Sequence, residues 1–325
     1  MKNSINYPSS PSSPLWLYPA GYIALSLCLS YFTGLLNLSG VDEPGAQRDF
    51  NAAVGMPLLT GYFWWAIRLL HQKVASTLMS YLLDQNALSH FSYHRLKLAK
   101  RWRNQKIAAF TIAVFLTAIY LLTEDLLAVT FSSEILVLNI LAVPFWFFFW
   151  LFLFQITSST QYVIKYCIHI ETDSVSSLKA LKRVSDLGVE NIFYATVALA
   201  IIPVFWLNKD VPAIDVIILV IFTFSLVLYL FFPAFRVYQL IATNKSHIIN
   251  SLDSEVATIY KTEVKEETQA NLYIENLRRL QNKKEEVETL SKWPLNVQQC
   301  FRVALVIILV PSSWVTLSLL EHLIG

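Results

Sequence analysis

Seven long apolar runs alternate with polar segments along this chain. The runs lie at about residues 15–38, 52–70, 107–123, 135–156, 191–207, 216–232 and 298–325. A helix of about 20 apolar residues crosses the hydrocarbon core of a bilayer. The pattern therefore predicts an all-α, polytopic membrane protein with about seven transmembrane helices. In the second run, Gly55, Pro57 and Gly61 are also compatible with a re-entrant or tilted element.

The positive charges give this arrangement a direction. Three polar segments carry seven, four and nine Lys and Arg residues: 71–106, 157–190 and 234–297. The three alternate segments carry only Arg48 and Lys209 between them. Cytoplasmic loops of membrane proteins hold the excess of Lys and Arg. We therefore expect a cytoplasmic N-terminus, a C-terminus outside, and a multi-pass location in a bacterial inner membrane.

The composition agrees with a membrane protein and indicates no catalytic centre. Hydrophobic residues make up 55% of the chain and charged residues 15%, against about a quarter charged in soluble domains. The sequence has no phosphate-binding glycine loop and no nucleophile elbow. His90 and His94 are four residues apart, but no further ligand is evident on that face, so a polar helix face explains them more simply. We expect no enzyme activity, no cofactor and no metal.

Two of the basic polar segments have helical features of their own. Residues 71–106 have helical spacing, and residues 157–190 contain a helix start signal at Asp173 and Ser174 followed by a stop signal at Gly188. We expect both segments to form helices in a cytoplasmic layer beneath the transmembrane spans.

The third basic segment, 234–297, has apolar residues at intervals of three and four, which predicts amphipathic helices. Both of its ends must return to the same membrane face, so we expect a cytoplasmic helical hairpin with a turn at Asn250–Ser254. Residues 1–14 are rich in Ser and Pro and are expected to be disordered. The chain would then comprise that segment, six spans within 15–233, the hairpin, and a last transmembrane helix in 298–325.

The last run gathers its hydroxyl groups in its second half. Its candidate pore-lining residues share one broad helix face: Leu305, Leu309, Ser312, Ser313 and Thr316. In one interpretation the hydroxyls line water and the leucines form a hydrophobic gate. Such a pore requires several subunits around an axis, and we expect a homo-oligomer, with four subunits as the working number. In the other interpretation, the hydroxyls bond back to their own helix beside Pro311 in an ordinary packed span.

The most basic stretch is RLKLAKRWRNQK. Its candidate ligand-binding residues are Arg95, Lys97, Lys100, Arg101, Arg103 and Lys106. One interpretation is an anion site, in which arginines hold the phosphates of a nucleotide or nucleic acid and Trp102 offers a stacking surface. The other is an anchor whose charges contact lipid phosphates where the third span enters the membrane.

The layout resembles that of the insect odorant and gustatory receptor channels, in which the last span lines a tetrameric pore. Together with RLKLAKRWRNQK, it also resembles the channel-like membrane effector of Hailong-type anti-phage defence. The second resemblance implies a DNA-oligomer ligand made by a partner nucleotidyltransferase. It further implies a defence role through membrane depolarisation or growth arrest.

These patterns favour an oligomeric channel that is gated from the cytoplasm by an anionic ligand. The first alternative is a non-conducting scaffold or assembly subunit, in which 234–297 docks a cytoplasmic partner. The second alternative is a small-molecule transporter. It is disfavoured because the spans lack ionisable residues at mid-depth, on which coupled transport usually depends.

Overall fold

Every regular element in the described part of the chain is helical, which confirms the all-α class. The computed structural model describes residues 14–37, 44–84, 88–123, 133–167, 175–207, 213–261, 267–289, 301, 304–305, 308–310, 312–316 and 318–319. Seven α-helices lie in the first seven of these ranges: α1 Leu17–Phe32, α2 Pro44–Asp84, α3 Phe91–Thr123, α4 Ser133–Cys167, α5 Val175–Ile201, α6 Ala213–Lys261 and α7 Glu267–Thr289. Of the expected disordered segment 1–14, only residue 14 lies within the described residues.

Two stretches of the described residues are long and apolar enough to cross a membrane, judged by length and composition alone. They are Ser133–Val163, within α4, and Asp186–Trp206, which joins the end of α5 to a short 3₁₀ turn. The helix Leu17–Phe32 is apolar but shorter.

The central helix is α2, which packs against α1, α4 and α5. Its 41 residues span about 60 Å at 1.5 Å per residue. Pro57 lies inside α2 and does not end it, so the described chain passes through the second run as one continuous helix and makes no re-entrant break. Buried proline is tolerated in such a helix when neighbouring groups satisfy the freed carbonyls.

Helix directions alternate around α2. The α5 helix is antiparallel to it, because Asn51 Nδ2 donates to the carbonyl of Leu207 at 2.8 Å and the Tyr62 hydroxyl donates to that of Tyr194 at 2.6 Å. The α1 helix is also antiparallel, since Gly61 of α2 lies against Ile23 and Arg68, later in α2, donates to the carbonyl of Leu15.

In contrast, α4 runs parallel to α2. Leu141 of α4 packs beside Ala53 of α2. Later in both helices, Gln155 contacts His71. The α3 helix returns antiparallel to α4, as Gln105 Nε2 donates to the carbonyl of Phe154.

One buried cluster, which we call the aromatic core, joins α2, α3, α4 and α5. Phe63 and Phe152 are both buried there, with ring centroids 5.0 Å apart. Phe149 meets Phe63 edge-on at 5.7 Å. Aromatic pairs in such arrangements contribute about 0.5–1.5 kcal/mol beyond the area they bury. The run PFWFFFWLFLF thus supplies the internal packing of the bundle.

A second buried cluster, the hairpin core, lies beyond the aromatic core along the same helices. It unites the ends of α2 and α4 with α5, α6 and α7 through Val74, Leu78, Val163, Leu187, Ile248, Leu252, Leu280 and Val287. Three helices contribute buried residues to both cores without a break, α2, α4 and α5, and α3 packs against both.

Two helix boundaries differ from the sequence prediction. The expected turn at Asn250–Ser254 is wrong, because α6 continues through it to Lys261 and α7 begins at Glu267. Leu252 is buried in the hairpin core, and its packing overrides the turn-forming tendency of the residues around it.

The expected helix stop at Gly188 is also wrong. The start signal at Asp173 and Ser174 directly precedes the first residue of α5, but the helix then runs through Gly188 to Ile201. Gly188 is buried between Leu187 and Val189. An isolated glycine costs a helix only about 1 kcal/mol relative to alanine, and burial of its neighbours offsets that cost.

Candidate ligand cavity and last helix

A cavity of about 370 Å³ lies between α2, α3 and α4, where the aromatic core gives way to the hairpin core. Its apolar wall includes Val74 and Leu78 from α2 and Leu98 from α3. The same two helices place Arg95, Arg101 and other polar groups on its rim. A space of this size with an apolar wall and a few polar groups is typical of a small-molecule site.

The polar side of the cavity is built around His71. Its ring lies 4.9 Å from that of Trp102, and Gln155 Nε2 lies 3.3 Å from His71 Nδ1. Although part of the His71 side chain reaches solvent, desolvation by burial lowers the pKa of His71. In its neutral form, with Nδ1 accepting from Gln155 Nε2, the ring carries its proton on Nε2. His71 can therefore donate a hydrogen bond without adding a charge.

The structure divides the six basic residues of 95–106 between two sides of α3. Arg95 and Arg101 line the cavity. The other four are exposed away from it: Lys97, Lys100, Arg103 and Lys106. Among the described residues that line the cavity, there are two guanidinium groups and no carboxylate.

The exposed basic residues continue an apolar stripe on the outer side of α3. Ile107, Phe110 and Val114 are exposed large hydrophobics, and at 100° per residue Lys100 and Arg103 lie on the same side of the helix. Apolar side chains followed by Lys and Arg suit a helix that passes from lipid tails to phosphate head groups. The structure thus gives each of the two interpretations of the basic stretch its own set of residues to test.

His94 is buried and contacts another helix, so the polar helix face expected for His90 and His94 is wrong at this residue. Its Nδ1 lies 2.8 Å from the buried Tyr162 hydroxyl. Burial, followed by the nearby His90 and Lys97, lowers the pKa of His94. Among the residues that the structure describes, no three His, Cys, Asp or Glu side chains gather as metal ligands.

The last segment packs beside the end of α5. Trp314 stacks on Trp206 with ring centroids 6.0 Å apart. A second cavity, of about 320 Å³, lies between α5 and this segment, and it brings together four of the five candidate pore residues: Leu309, Ser312, Ser313 and Thr316. Leu305 is half-buried and does not line it.

The hydroxyls of this segment bond to their own helix. Ser312 Oγ donates to the carbonyl of Leu309 at 2.9 Å, and Thr316 Oγ1 donates to that of Ser312 at 2.8 Å. Ser313 bonds in the same way. Ser312 and Thr316 are nevertheless exposed, whereas Leu309 and Ser313 are half-buried toward α5. Each hydroxyl oxygen keeps acceptor capacity for water.

A buried lysine ties the end of α7 to α6. Lys245 is 5% exposed, and its Nζ donates to the carbonyl of Glu288 at 2.8 Å. A cation at a helix C-terminus satisfies a carbonyl that lacks an intrahelical partner. A second link is the exposed ion pair between Lys284 Nζ and Asp253 Oδ1 at 2.6 Å, which raises the pKa of Lys284 through this hydrogen bond.

Sequence reasoning missed the α2 and α4 sides of the cavity. His71 directly follows the second apolar run, and Gln155 directly follows the aromatic run PFWFFFWLFLF. Both were visible as polar residues at the edge of an apolar segment, but only the packing of α2 on α4 brings them together.

Comparison with known proteins gives no outside assignment of these residues, as the chain matches no protein-family model, no curated protein and no solved structure.

Proposed function

We propose that this chain is a multi-pass inner-membrane protein that assembles into an oligomeric channel. An anionic ligand at the cavity between α2, α3 and α4 would control its opening from the cytoplasmic side. The observation that carries the proposal is the continuity of α2, α4 and α5 through both cores. Packed helices move as rigid bodies, so a change at the junction cavity can be transmitted along them to the end of α5, where the last segment packs.

The proposed topology has seven spans, the N-terminus inside and the C-terminus outside. It is supported by the alternation of basic and non-basic segments and by two described stretches with the length and apolarity of spans. The opposite directions of α2 and α5 are compatible with it. The hairpin core would then lie in the cytoplasm, below the membrane.

The proposed conduction path is lined by the last helix. Ser312 and Thr316 are its exposed hydroxyl-bearing residues, and Leu309 lies one turn below Ser312. A ring of such leucines, one from each subunit, can exclude water and close the path. Lys245 fixes the end of α7 to α6 shortly before the last helix begins in the chain. A movement of the hairpin can therefore be transmitted to the pore.

A non-conducting scaffold is the second candidate function. It is favoured by the hydrogen bonds from Ser312, Ser313 and Thr316 to their own backbone, which satisfy these hydroxyls without a water-filled path. In this case the hairpin of α6 and α7 would dock a cytoplasmic protein.

An ion-flux measurement distinguishes the two functions. Purified protein is reconstituted into potassium-loaded liposomes, and potassium release is followed with and without a short DNA oligomer or AMP. The channel proposal predicts release above that of empty liposomes, at a rate that one of these ligands changes. Release equal to that of empty liposomes under every condition would favour the scaffold.

A further inference from the structure

The cavity between α2, α3 and α4 has the chemistry of a binding site for one specific class of anion. Its described lining carries Arg95 and Arg101 and no carboxylate. Within the part of the chain that the structure describes, neither arginine belongs to an ion pair. Two guanidinium groups on the rim of one cavity favour an anion over a neutral ligand.

The wall of the cavity limits what the anion carries. Val74, Leu78 and Leu98 present apolar surface, and the Trp102 ring lies beside them. His71 in its neutral form and Gln105 add hydrogen-bonding groups without charge. Such a wall suits a flat or apolar organic group and not a small, fully hydrated inorganic ion.

The volume sets the size of the ligand. Cavities of about 300–1,000 Å³ hold drug-sized molecules, and this one measures about 370 Å³. One phosphate group with one base, or with part of one lipid, fills such a space. An oligomer of several nucleotides would leave most of its length outside.

We propose that this cavity binds a single phosphate ester, with Arg95 and Arg101 on the phosphate and the organic part against Trp102 and Leu98. This inference rests on the proposed function only in taking the cavity as the site of the controlling anion. Two sources share this chemistry: a soluble mononucleotide and the head group of an anionic phospholipid of the adjacent leaflet.

Equilibrium binding to the detergent-purified full-length chain tests the site without requiring conduction. The probes are radiolabelled AMP and a soluble short-chain phosphatidylglycerol. The wild type is compared with Arg95→Gln/Arg101→Gln, which removes the cavity charges, and with Lys97→Gln/Lys100→Gln, which removes two charges from the outer side of α3. A third variant, Ser158→Phe, enlarges a buried side chain of the cavity lining, so it fills the cavity and keeps every charge.

The proposal predicts that at least one probe binds the wild type. It also predicts that the cavity variants weaken binding by roughly tenfold or more, as expected when charge-assisted hydrogen bonds are lost, while the outer-side variant changes it less than about twofold. Binding of AMP alone identifies a soluble source, and binding of phosphatidylglycerol alone identifies a lipid source. If Arg95→Gln/Arg101→Gln does not fold, the result for Ser158→Phe is used to judge the site.

Three results would overturn the site. They are no binding of either probe to the wild type, unchanged binding in Ser158→Phe, and an equal loss in the outer-side variant. Because none of these measurements involves ion flux, the channel proposal stands or falls separately on the liposome experiment.

Discussion

At Gly61 the absence of a side chain lets α2 pack closely against α1. A Cβ atom there would overlap the Ile23 side chain and lie 3.2 Å from the backbone oxygen of Pro19. Gly21, on α1, has no atom within 4 Å of such a Cβ. Small residues let membrane helices pack at short distance, so these two glycines have different roles.

Alanine at the two glycines should therefore have opposite effects on stability. Gly61→Ala forces α1 and α2 apart and is expected to cost about 1–3 kcal/mol, as overpacking does. Gly21→Ala replaces a glycine that loses much conformational freedom on folding, so it should leave stability unchanged or raise it slightly. Thermal melting of both variants in detergent checks this. Equal melting temperatures would mean that the close contact of α1 and α2 does not exist in the protein.

Leu309 is the residue on which the gating hypothesis depends most. Making a hydrophobic constriction polar favours the wetted, open state. We therefore predict that cells producing Leu309→Ser depolarise and stop growing, as a membrane-potential dye would report. Val310→Ser, turned by about 100° on the same helix, should lower stability without depolarisation. Normal potential in both, at matched protein levels, would argue against a gate at Leu309.

At the scale of elements, the hairpin of α6 and α7 is held by one buried and one exposed link. Replacing Lys245 by methionine removes its hydrogen bond to the carbonyl of Glu288, which is expected to cost about 1.5–3 kcal/mol because the donor is charged. Limited proteolysis should then cut faster between residues 261 and 289. Lys284→Met should have the smaller effect, because an exposed ion pair is screened by water and salt. A larger effect from Lys284→Met would mean that the exposed ion pair stabilises the hairpin more than the buried hydrogen bond does.

The direction of the last helix can be tested with fusions. A reporter active only outside the cytoplasm should be active after Gly325 and inactive near Lys265, two positions outside the described residues. This follows from the proposed placement of the basic segments on the cytoplasmic side. An inactive fusion after Gly325 would point to six spans in place of seven.

The sequence predicted the elements better than their boundaries. Hydrophobic runs and the helix start at Asp173 and Ser174 are local signals, and the helices are found there. The end of α6 was missed because burial of Leu252 against α7 outweighs local turn preference, and Gly188 was misjudged for the same kind of reason. Tertiary packing is not encoded in a short window.

The candidate site was predictable only in part. Spacing places Arg95, Lys97, Lys100 and Arg101 on one helix, and their angular positions follow from 100° per residue. Which side faces inward depends on α2 and α4, which no pattern within α3 reveals. The sequence therefore indicated a basic site, and the packing separated the cavity arginines from the exposed lysines.

At the scale of the whole molecule, three continuous helices connect two cores with different compositions. The aromatic core is assembled from runs that are apolar on all sides, as in a helix bundle surrounded by lipid. The hairpin core is assembled from amphipathic helices with charged outer faces. A ligand that binds the cavity at the junction contacts α2, α3 and α4 together, so it can favour one relative position of these helices over another.

The most direct test of this account is a current recording across a planar bilayer that contains Ser312→Cys protein. The exposed Ser312 hydroxyl is expected to line the conduction path. We predict discrete current steps that fall when a charged, water-soluble thiol reagent is added, and no such fall for the wild type. The absence of current above that of a protein-free bilayer, or a current that the reagent leaves unchanged in Ser312→Cys, would contradict the account.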